Sequence, residues 1–154
     1  MTSKPCILIA EDDLEDQFIM TDAFKEEGLE KIIRFVENGE LAMKFLNTAV
    51  EHNNPPSLVV LDLNMPLLNG TQTLREIRSH QKLKDVPVII YSTSLNLIEM
   101  EECRKLGANS YITKPNTFTE CCEVARRFFE FCNGNYLFPS IEETITRTRS
   151  GVQI

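Results

Sequence analysis

Acidic residues follow two apolar segments of the sequence, and they are the side chains best suited to do chemistry. The run Glu11–Asp13 comes directly after Cys6–Ala10, and Asp62 comes directly after Leu58–Leu61. Short apolar runs of this kind are typical of strands buried on both faces of a parallel sheet. Open α/β sheets place their ligand sites at the carboxyl ends of strands, so these acids are candidates for one shared site.

Two more predicted strands deliver a polar side chain to the same place. Ser92 follows Val86–Tyr91, and Lys114 follows Ser110–Thr113. The strand predicted over Ile32–Val36 does not deliver such a group. Four of five strand ends therefore carry polar groups that a parallel sheet would bring to one edge.

The residue types at these strand ends suggest phosphoryl transfer. Carboxylates held close together repel one another, and a hard cation such as Mg²⁺ relieves that repulsion. A carboxylate beside such an ion can attack phosphorus, while an ammonium and a hydroxyl bind the phosphoryl oxygens. Each residue also has a plain interpretation: the acids after the first strand could cap a helix, Ser92 could form a turn, and Lys114 could be a solvated charge.

Helices must alternate with these strands to make the sheet parallel. Helical spacing of apolar residues occurs in the segments between the strands, over the ranges Leu14–Glu27, Leu41–Ala49, the segment after the loop Leu67–Gly70, Leu95–Leu106 and Thr117–Cys132. Leu74 and Ile77 are predicted to point inward and Arg78 outward. Alternating strands and helices predict an α/β fold, a doubly wound parallel sheet with right-handed crossovers and helices on both faces.

Composition limits the class of protein further. A chain of 154 residues is expected to form one domain. A net charge of −7 argues against direct nucleic-acid binding. The range Met1–Ile9 is too short and mixed for a leader or a membrane anchor, and five cysteines without zinc spacing suggest reduced thiols in a cytoplasmic protein.

A set of motifs with matching spacing resembles the response-regulator receiver domain of two-component signalling. The likeness runs from about Lys4 to Asn133, and the matching pieces are Ile-Ala-Glu-Asp-Asp at 9–13, Leu-Asp-Leu-Asn-Met-Pro at 61–66, Gly70, Pro-Val-Ile-Ile-Tyr-Ser at 87–92 and Tyr-Ile-Thr-Lys-Pro at 111–115. It implies a flavodoxin-like five-stranded sheet in the order 2-1-3-4-5. It also implies a histidine kinase or histidine phosphotransfer protein as phosphodonor.

The resemblance assigns a role to each residue of the predicted site. Asp62 would be the phosphoacceptor, Ser92 the switch hydroxyl, Lys114 the phosphate clamp and Tyr111 the aromatic that rotates. The ligands implied for Mg²⁺ are Asp12, Asp62 and the backbone carbonyl of Asn64, with Glu11 acting through water. Phosphorylation would then change protein–protein contacts.

The sequence after Asn133 leads to two further expectations. Residues 1–133 would form the receiver, and residues 134–154 an extension too short for a separate output domain. With Ser92-Thr93-Ser94 and an aromatic-rich last helix, the chain is similar to the stand-alone receivers that pair with bacterial phytochromes.

The last predicted helix carries more apolar surface than a sheet alone would cover. Its two rows are Phe118, Cys122, Ala125, Phe129 and Cys132, and Cys121, Val124, Phe128 and Phe131. A homodimer through this helix and the tail would cover the excess. The alternative is cover by the chain's own tail through Tyr136, Leu137, Phe138, Ile141 and Ile145, with Ser140 starting a short helix.

Two other function classes are weaker. A phosphohydrolase of the haloacid-dehalogenase type also uses a strand-end Asp, but it needs a second acid two residues later, where this chain has Asn64. A transcription factor is opposed by the acidic charge and the absence of an output domain.

Overall fold

Five parallel strands form the centre of the computed structural model, which describes residues 5–151; residues 1–4 of the predicted receiver and 152–154 of the predicted extension lie outside that range. The strands are β1 (Ile7–Ala10), β2 (Ile33–Val36), β3 (Leu58–Leu61), β4 (Val88–Ser92) and β5 (Ser110–Thr113). Their order is β2-β1-β3-β4-β5, with every neighbouring pair parallel. The predicted topology is confirmed.

Six α-helices lie within residues 5–151 and complete the fold. They are α1 (Leu14–Glu26), α2 (Gly39–Glu51), α3 (Gly70–Ser79), α4 (Leu97–Lys105), α5 (Phe118–Cys132) and α6 (Ile141–Arg149). Side-chain caps fix their starts, and one example is the capping box of α3, in which Asn69 and Gln72 each bond the other's backbone N–H.

The two faces of the sheet pack against different helices, as the doubly wound pattern predicts. Alternate strand residues such as Val59 and Leu61 join one core with the inner faces of α2, α3, α4 and α6. The residues between them, such as Leu58 and Val60, join a second core with α1 and α5. Because side chains alternate along a strand, a central strand is apolar throughout and its carboxyl end is fixed between two packed layers.

Some predicted element bounds are wrong by one or two residues. Ile32 belongs to a short 3-10 helix, Glu30–Ile32, and β2 begins one residue later. Asn38 does not form a turn with Gly39, because its side chain accepts a hydrogen bond from Leu41 N and caps α2. The fourth strand begins at Val88 rather than Val86, since Pro87 has no N–H and joins the sheet only by accepting from Val59 N.

Arg78, which was predicted to point outward, is half-buried. Its guanidinium donates to the carbonyl oxygens of Gly107 and Val86 and to the side-chain oxygen of Asn109, at 2.9, 2.7 and 3.0 Å. The same Asn109 oxygen accepts from Val88 N. Arg78 therefore ties α3 to the segment before β4 and to the turn before β5.

The C-terminal extension folds back onto the domain as α6. Ser140 caps it by accepting from Glu143 N, as predicted, and Ile141 and Ile145 are 1% and 3% exposed. Both lie in the core that contains the inner face of α4. The Ser110 hydroxyl of β5 donates to the Pro139 carbonyl at 2.8 Å, so the tail provides the partner of a buried polar group.

The wide apolar surface of α5 is covered partly by α1 and partly by the tail. Phe128 stacks on Phe24 of α1 with ring centroids 6.5 Å apart. Phe138 of the tail lies 5.6 Å from Phe128 and 5.8 Å from Phe131. Phe118, at the start of α5, stays 48% exposed. Phe138 therefore covers α5, as predicted for the tail. The prediction is wrong for Leu137, which is 83% exposed, and for Ile141 and Ile145, which pack on the opposite face of the sheet with α4. The homodimer stays a prediction.

None of the helices within the described residues has the length and apolar character needed to cross a membrane. All five cysteines are free thiols; Cys103, Cys121 and Cys122 are buried, while Cys6 and Cys132 are half-buried.

Candidate functional site

The acidic run after β1 divides into two roles. Asp13 caps α1, since its carboxylate accepts from Glu15 N and Asp16 N, which is the plain interpretation for that residue. Glu11 is 3% exposed and Asp12 is exposed at the edge of the sheet. Glu11 and Asp12 therefore lie at the candidate site, while Asp13 fixes the start of the helix.

Asp62 lies directly beside β1 at the end of β3. Its N–H donates to the Ala10 carbonyl at 3.1 Å, and its side chain is nearly buried, with the residue 9% exposed. The Asn64 N–H approaches the Asp62 carboxylate at 3.4 Å, which places the Asn64 backbone next to it. A Cβ at Gly70 would collide with the Asp62 carbonyl oxygen, so glycine lets α3 begin this close to the site.

Three carboxylates meet at this edge. Oxygen atoms of Glu11, Asp12 and Asp62 lie within 4.8 Å of one another. Asn64 and Thr93 help to line the same open groove, whose volume is about 560 Å³. Clustered carboxylate oxygens are ligands that Mg²⁺ prefers, so the residues fit a divalent cation.

Lys114 reaches into the cluster from the end of β5. Its backbone N–H donates to the Ser92 carbonyl at 2.7 Å, which fixes the loop after β5 against β4. Its ammonium donates to Glu11 and, at 2.9 Å, to Asp16, and lies 3.7 Å from Asp62. The predicted phosphoacceptor and the predicted clamp are thus neighbours.

The pKa values of Glu11 and Lys114 are both raised, but for different reasons. Burial raises the pKa of Glu11 to about 7, and the Asp62 charge adds to the rise while Lys114 opposes it. Burial alone would lower the pKa of Lys114, but its bonds to Glu11 and Asp16 and the Asp62 charge outweigh burial and raise that pKa. Lys114 is therefore a fixed cation, and the carboxylate charge around it exceeds what one ammonium can balance.

Ser92 and Tyr111 form a second group beside the cluster. The Ser92 side chain is close to Ser94 N, at 3.4 Å, and the Tyr111 hydroxyl donates to the Ser94 carbonyl at 2.9 Å. Tyr111 is 2% exposed and belongs to the same core as Ile141 and Ile145 of α6. The Tyr111 ring, which was predicted to rotate, already points inward. A movement of Ser92 would therefore have to be accommodated by a side chain that is packed in the core.

Two residues of the site were missed by the sequence reasoning. Asp16 bonds Lys114, and the Gln17 side-chain amide donates to the Glu11 carbonyl at 2.6 Å. Both lie in the first turns of α1, at sequence distances of five and six from Glu11. Helical periodicity of the polar residues, rather than of the apolar ones, is the signal that could have found them.

Comparisons with known proteins agree on one family. The response regulator receiver domain model matches residues 7–126. The response regulator Rcp1 of Synechocystis sp. is 29% identical over 127 residues, which cover 81% of this chain and 86% of that protein.

Solved structures show the same relationship in three dimensions. The phosphorylated cyanobacterial phytochrome response regulator RcpA superposes with a TM-score of 0.76 at 28% identity, covering 90% of this chain and 100% of that one. A response regulator in red light signalling of R. palustris gives a TM-score of 0.75 at 30% identity, covering 88% and 99%. Rcp1 in its Mn²⁺-bound form gives 0.71 at 28% identity, with 88% and 99% covered.

Proposed function

The chain belongs to the response regulator receiver domain family, and we propose that it accepts a phosphoryl group on Asp62. Receiver domains act in phosphorylation-dependent signalling. The observation that carries the proposal is the position of Asp62 among two further carboxylates, with the Lys114 ammonium 3.7 Å away. The donor we propose is a histidine kinase or histidine phosphotransfer protein.

Mg²⁺ is the cofactor that we propose for this site. Its ligands would be Asp12, Asp62 and the backbone carbonyl of Asn64, with Glu11 acting through water. When bound, the ion would neutralise charge on the transferring phosphoryl group. The Mn²⁺-bound form of the related Rcp1 supports a divalent cation in this family.

The chain's own residues would share the remaining work. An Asp62 carboxylate oxygen attacks phosphorus as the bond to the donor imidazole nitrogen breaks, and the donor keeps that electron pair. Lys114 is close enough to Asp62 to bind a phosphoryl oxygen, and the Ser92 hydroxyl can donate to another. Both contacts oppose negative charge that is concentrated on the phosphoryl oxygens. We therefore propose that Asp62 is the nucleophile and that Ser92 and Lys114 bind the phosphoryl oxygens.

Labelling with a small phosphodonor tests the phosphoacceptor directly. Acetyl phosphate with Mg²⁺ should label the wild-type protein, and the label should map to Asp62. Asp62→Asn keeps the shape of the side chain but removes the nucleophile, so it should not be labelled. Asp13→Asn is the matched control, because asparagine also caps a helix. Label that persists in Asp62→Asn would assign the acceptor to Asp12 or Asp13.

Phosphorylation would change contacts through Ser92 and Tyr111. The hydrogen bonds that join Ser92 to Ser94 and Ser94 to the Tyr111 hydroxyl offer a path from the site to the core beneath α6. We expect Ser92→Ala to be phosphorylated and still to bind its target as the unphosphorylated protein does. Full activation of this variant would refute the coupling.

The domain division and the homodimer are also part of the proposal. Residues 1–133 form the receiver, and residues 134–154 are an extension whose described part packs into the receiver core through Ile141 and Ile145. The exposed Phe118 on α5 and Leu137 in the tail supply apolar surface for a second subunit. Light scattering on the full chain and on a chain ending at Asn133 tests this. A full-length monomer at tens of micromolar, phosphorylated or not, would refute the dimer.

A further inference from the structure

Asp16 differs from the other carboxylates that pair with Lys114. Among the residues that the structure describes, the Lys114 ammonium forms ion pairs with Glu11, Asp16 and Asp62. Glu11 and Asp62 also belong to the three-carboxylate group that fits a divalent cation, whereas Asp16 lies outside it. Asp16 is held in the first turn of α1 by the Asp13 cap. Lys114 thus has one anionic partner that a bound cation would not claim.

A divalent cation and Lys114 would compete for the same two carboxylates. Lys114 is only 12% exposed, so water gives it little help when it loses an anionic partner. A bound Mg²⁺ would attract the Glu11 and Asp62 carboxylates and so weaken their ion pairs with Lys114. It would also repel the Lys114 ammonium. The Asp16 carboxylate lies 2.9 Å from the Lys114 ammonium, so it can still neutralise the Lys114 charge when the cation is bound.

We propose that Asp16 is a positioning residue that retains the Lys114 ammonium at the site while Mg²⁺ occupies the three carboxylates. The inference rests on the proposed function, since it needs the metal site, but it concerns a different residue. Without Asp16, Lys114 falls back on Glu11 and Asp62 and opposes the metal. Asp16 therefore acts on metal affinity through Lys114.

Glu15 provides the matched control for this idea. It is an acid in the same turn of α1, adjacent in sequence, and no ion pair between described residues involves its carboxylate. An effect of Asp16 on the helix dipole or on the general field of the site would be shared by Glu15. An effect through Lys114 would belong to Asp16 alone.

Calorimetric titration with Mg²⁺ is the first measurement. Coulomb attraction between unit charges a few ångströms apart corresponds to about a fivefold change in a binding constant even in water. We expect Asp16→Asn to weaken Mg²⁺ binding by about fivefold or more, and Glu15→Gln by less than about twofold, by the same reasoning. Asp16→Glu restores the carboxylate and should recover most of the affinity. Equal losses in Asp16→Asn and Glu15→Gln would overturn the proposal.

A double-mutant cycle with Lys114→Met isolates the pathway. If Asp16 acts through Lys114, Asp16→Asn in the Lys114→Met background should weaken Mg²⁺ binding no more than Glu15→Gln does there. An undiminished effect of Asp16→Asn in that background would mean that Asp16 supports the fold or binds the metal, and would overturn the proposal.

The ¹⁵N resonance of the Lys114 ammonium gives a readout that a purely structural role would not move. With Mg²⁺ at saturation, the wild-type and Glu15→Gln proteins should keep a slowly exchanging Lys114 signal, and Asp16→Asn should lose it. Loss of the signal in the wild type as well would overturn the proposal.

The outcomes separate this inference from the proposed function. A wild-type protein that binds no Mg²⁺ would refute the metal site and this inference with it. Wild-type binding and Asp62 labelling, with equal behaviour of Asp16→Asn and Glu15→Gln, would refute the role of Asp16 alone.

Discussion

The edge of the sheet that holds Asp62 and the face that α6 covers are built on opposite principles. At the edge, three carboxylates lie within 4.8 Å of one another with Lys114 beside them, in a groove open to solvent. Beneath α6, Ile141 and Ile145 are almost fully buried among apolar side chains. The first region concentrates repulsion that a ligand can relieve, and the second stabilises the fold without any ligand. We therefore expect the stability of the domain to depend on cations at the carboxylate cluster and on apolar packing beneath α6.

The largest expected effect is on the packed face. Ile145→Ala removes buried methyl groups and leaves a cavity between α6 and α4, and we expect it to lower the free energy of unfolding by about 3 kcal/mol. Urea denaturation measures this, with Leu137→Ala as the control because Leu137 is 83% exposed in the same tail.

Cys103 offers a local probe of the same change. It is fully buried in α4, and burial raises the pKa of its thiol to about 12, so it should resist alkylation at pH 8. Faster alkylation of Cys103 in Ile145→Ala would place the damage under α6. Equal unfolding free energies for Ile145→Ala and Leu137→Ala would mean that α6 contributes nothing to stability.

The second effect concerns the edge. Mg²⁺ at about 100 times its Kd should add about 2.7 kcal/mol to the free energy of unfolding, because it binds the folded cluster. Thermal melts with and without millimolar Mg²⁺ measure the gain. Asp12→Ala should abolish it, while Ile145→Ala should keep it despite its lower starting stability. A rise of equal size in Asp12→Ala would break the contrast between the two regions.

Removing a charge from the edge should stabilise the metal-free protein. Asp62→Asn lowers the repulsion with Glu11 and Asp12, and Lys114 keeps Glu11 and Asp16 as partners, so we expect a gain of about 1 kcal/mol. Urea denaturation in EDTA measures it. Asp22→Asn, an exposed acid elsewhere on α1, is the control and should leave stability unchanged. A loss of stability in Asp62→Asn would show that the cluster is stabilising even without a cation.

The smallest effect is expected for charges on the packed face. Arg149 of α6 pairs with Glu101 of α4 at 2.7 Å, but Arg149 is 60% exposed. Exposed ion pairs contribute little, so Arg149→Ala should melt at the wild-type temperature within error. A clear decrease in the melting temperature would mean that α6 depends on charge as well as on apolar packing.

The sequence predicted the parts of the molecule that repeat a simple pattern. Each apolar run ending in a polar residue became a strand that ends at the shared edge, which is why Glu11, Asp62 and Lys114 meet there, with Ser92 at the end of the neighbouring strand. Side-chain alternation and the right-handed crossover bring these strand ends to one edge almost regardless of which apolar side chains make up each strand.

Contacts between elements distant in sequence were not predictable in the same way. Arg78 has the pattern of an exposed helix residue, yet it bonds backbone groups brought near by β4 and the turn before β5. Asp16 looks like an ordinary first-turn acid until the loop after β5 places Lys114 beside it. The inward position of Tyr111 likewise depends on the packing under α6, which no local pattern encodes.

The docking of α6 also affects how the chain assembles. β5 is the last strand on one side of the sheet, so one of its long sides has no neighbouring strand. The tail contacts β5 through the Ser110 hydroxyl, and it contacts the residue before β5 through Ile141 N, which donates to the Asn109 carbonyl at 2.9 Å. Because α6 follows β5 in the chain, a nascent protein presents this edge and the apolar face of α4 before their cover has been synthesised. Exposed strand edges promote intermolecular pairing. Between completion of β5 and docking of α6, the chain therefore exposes surface that favours aggregation.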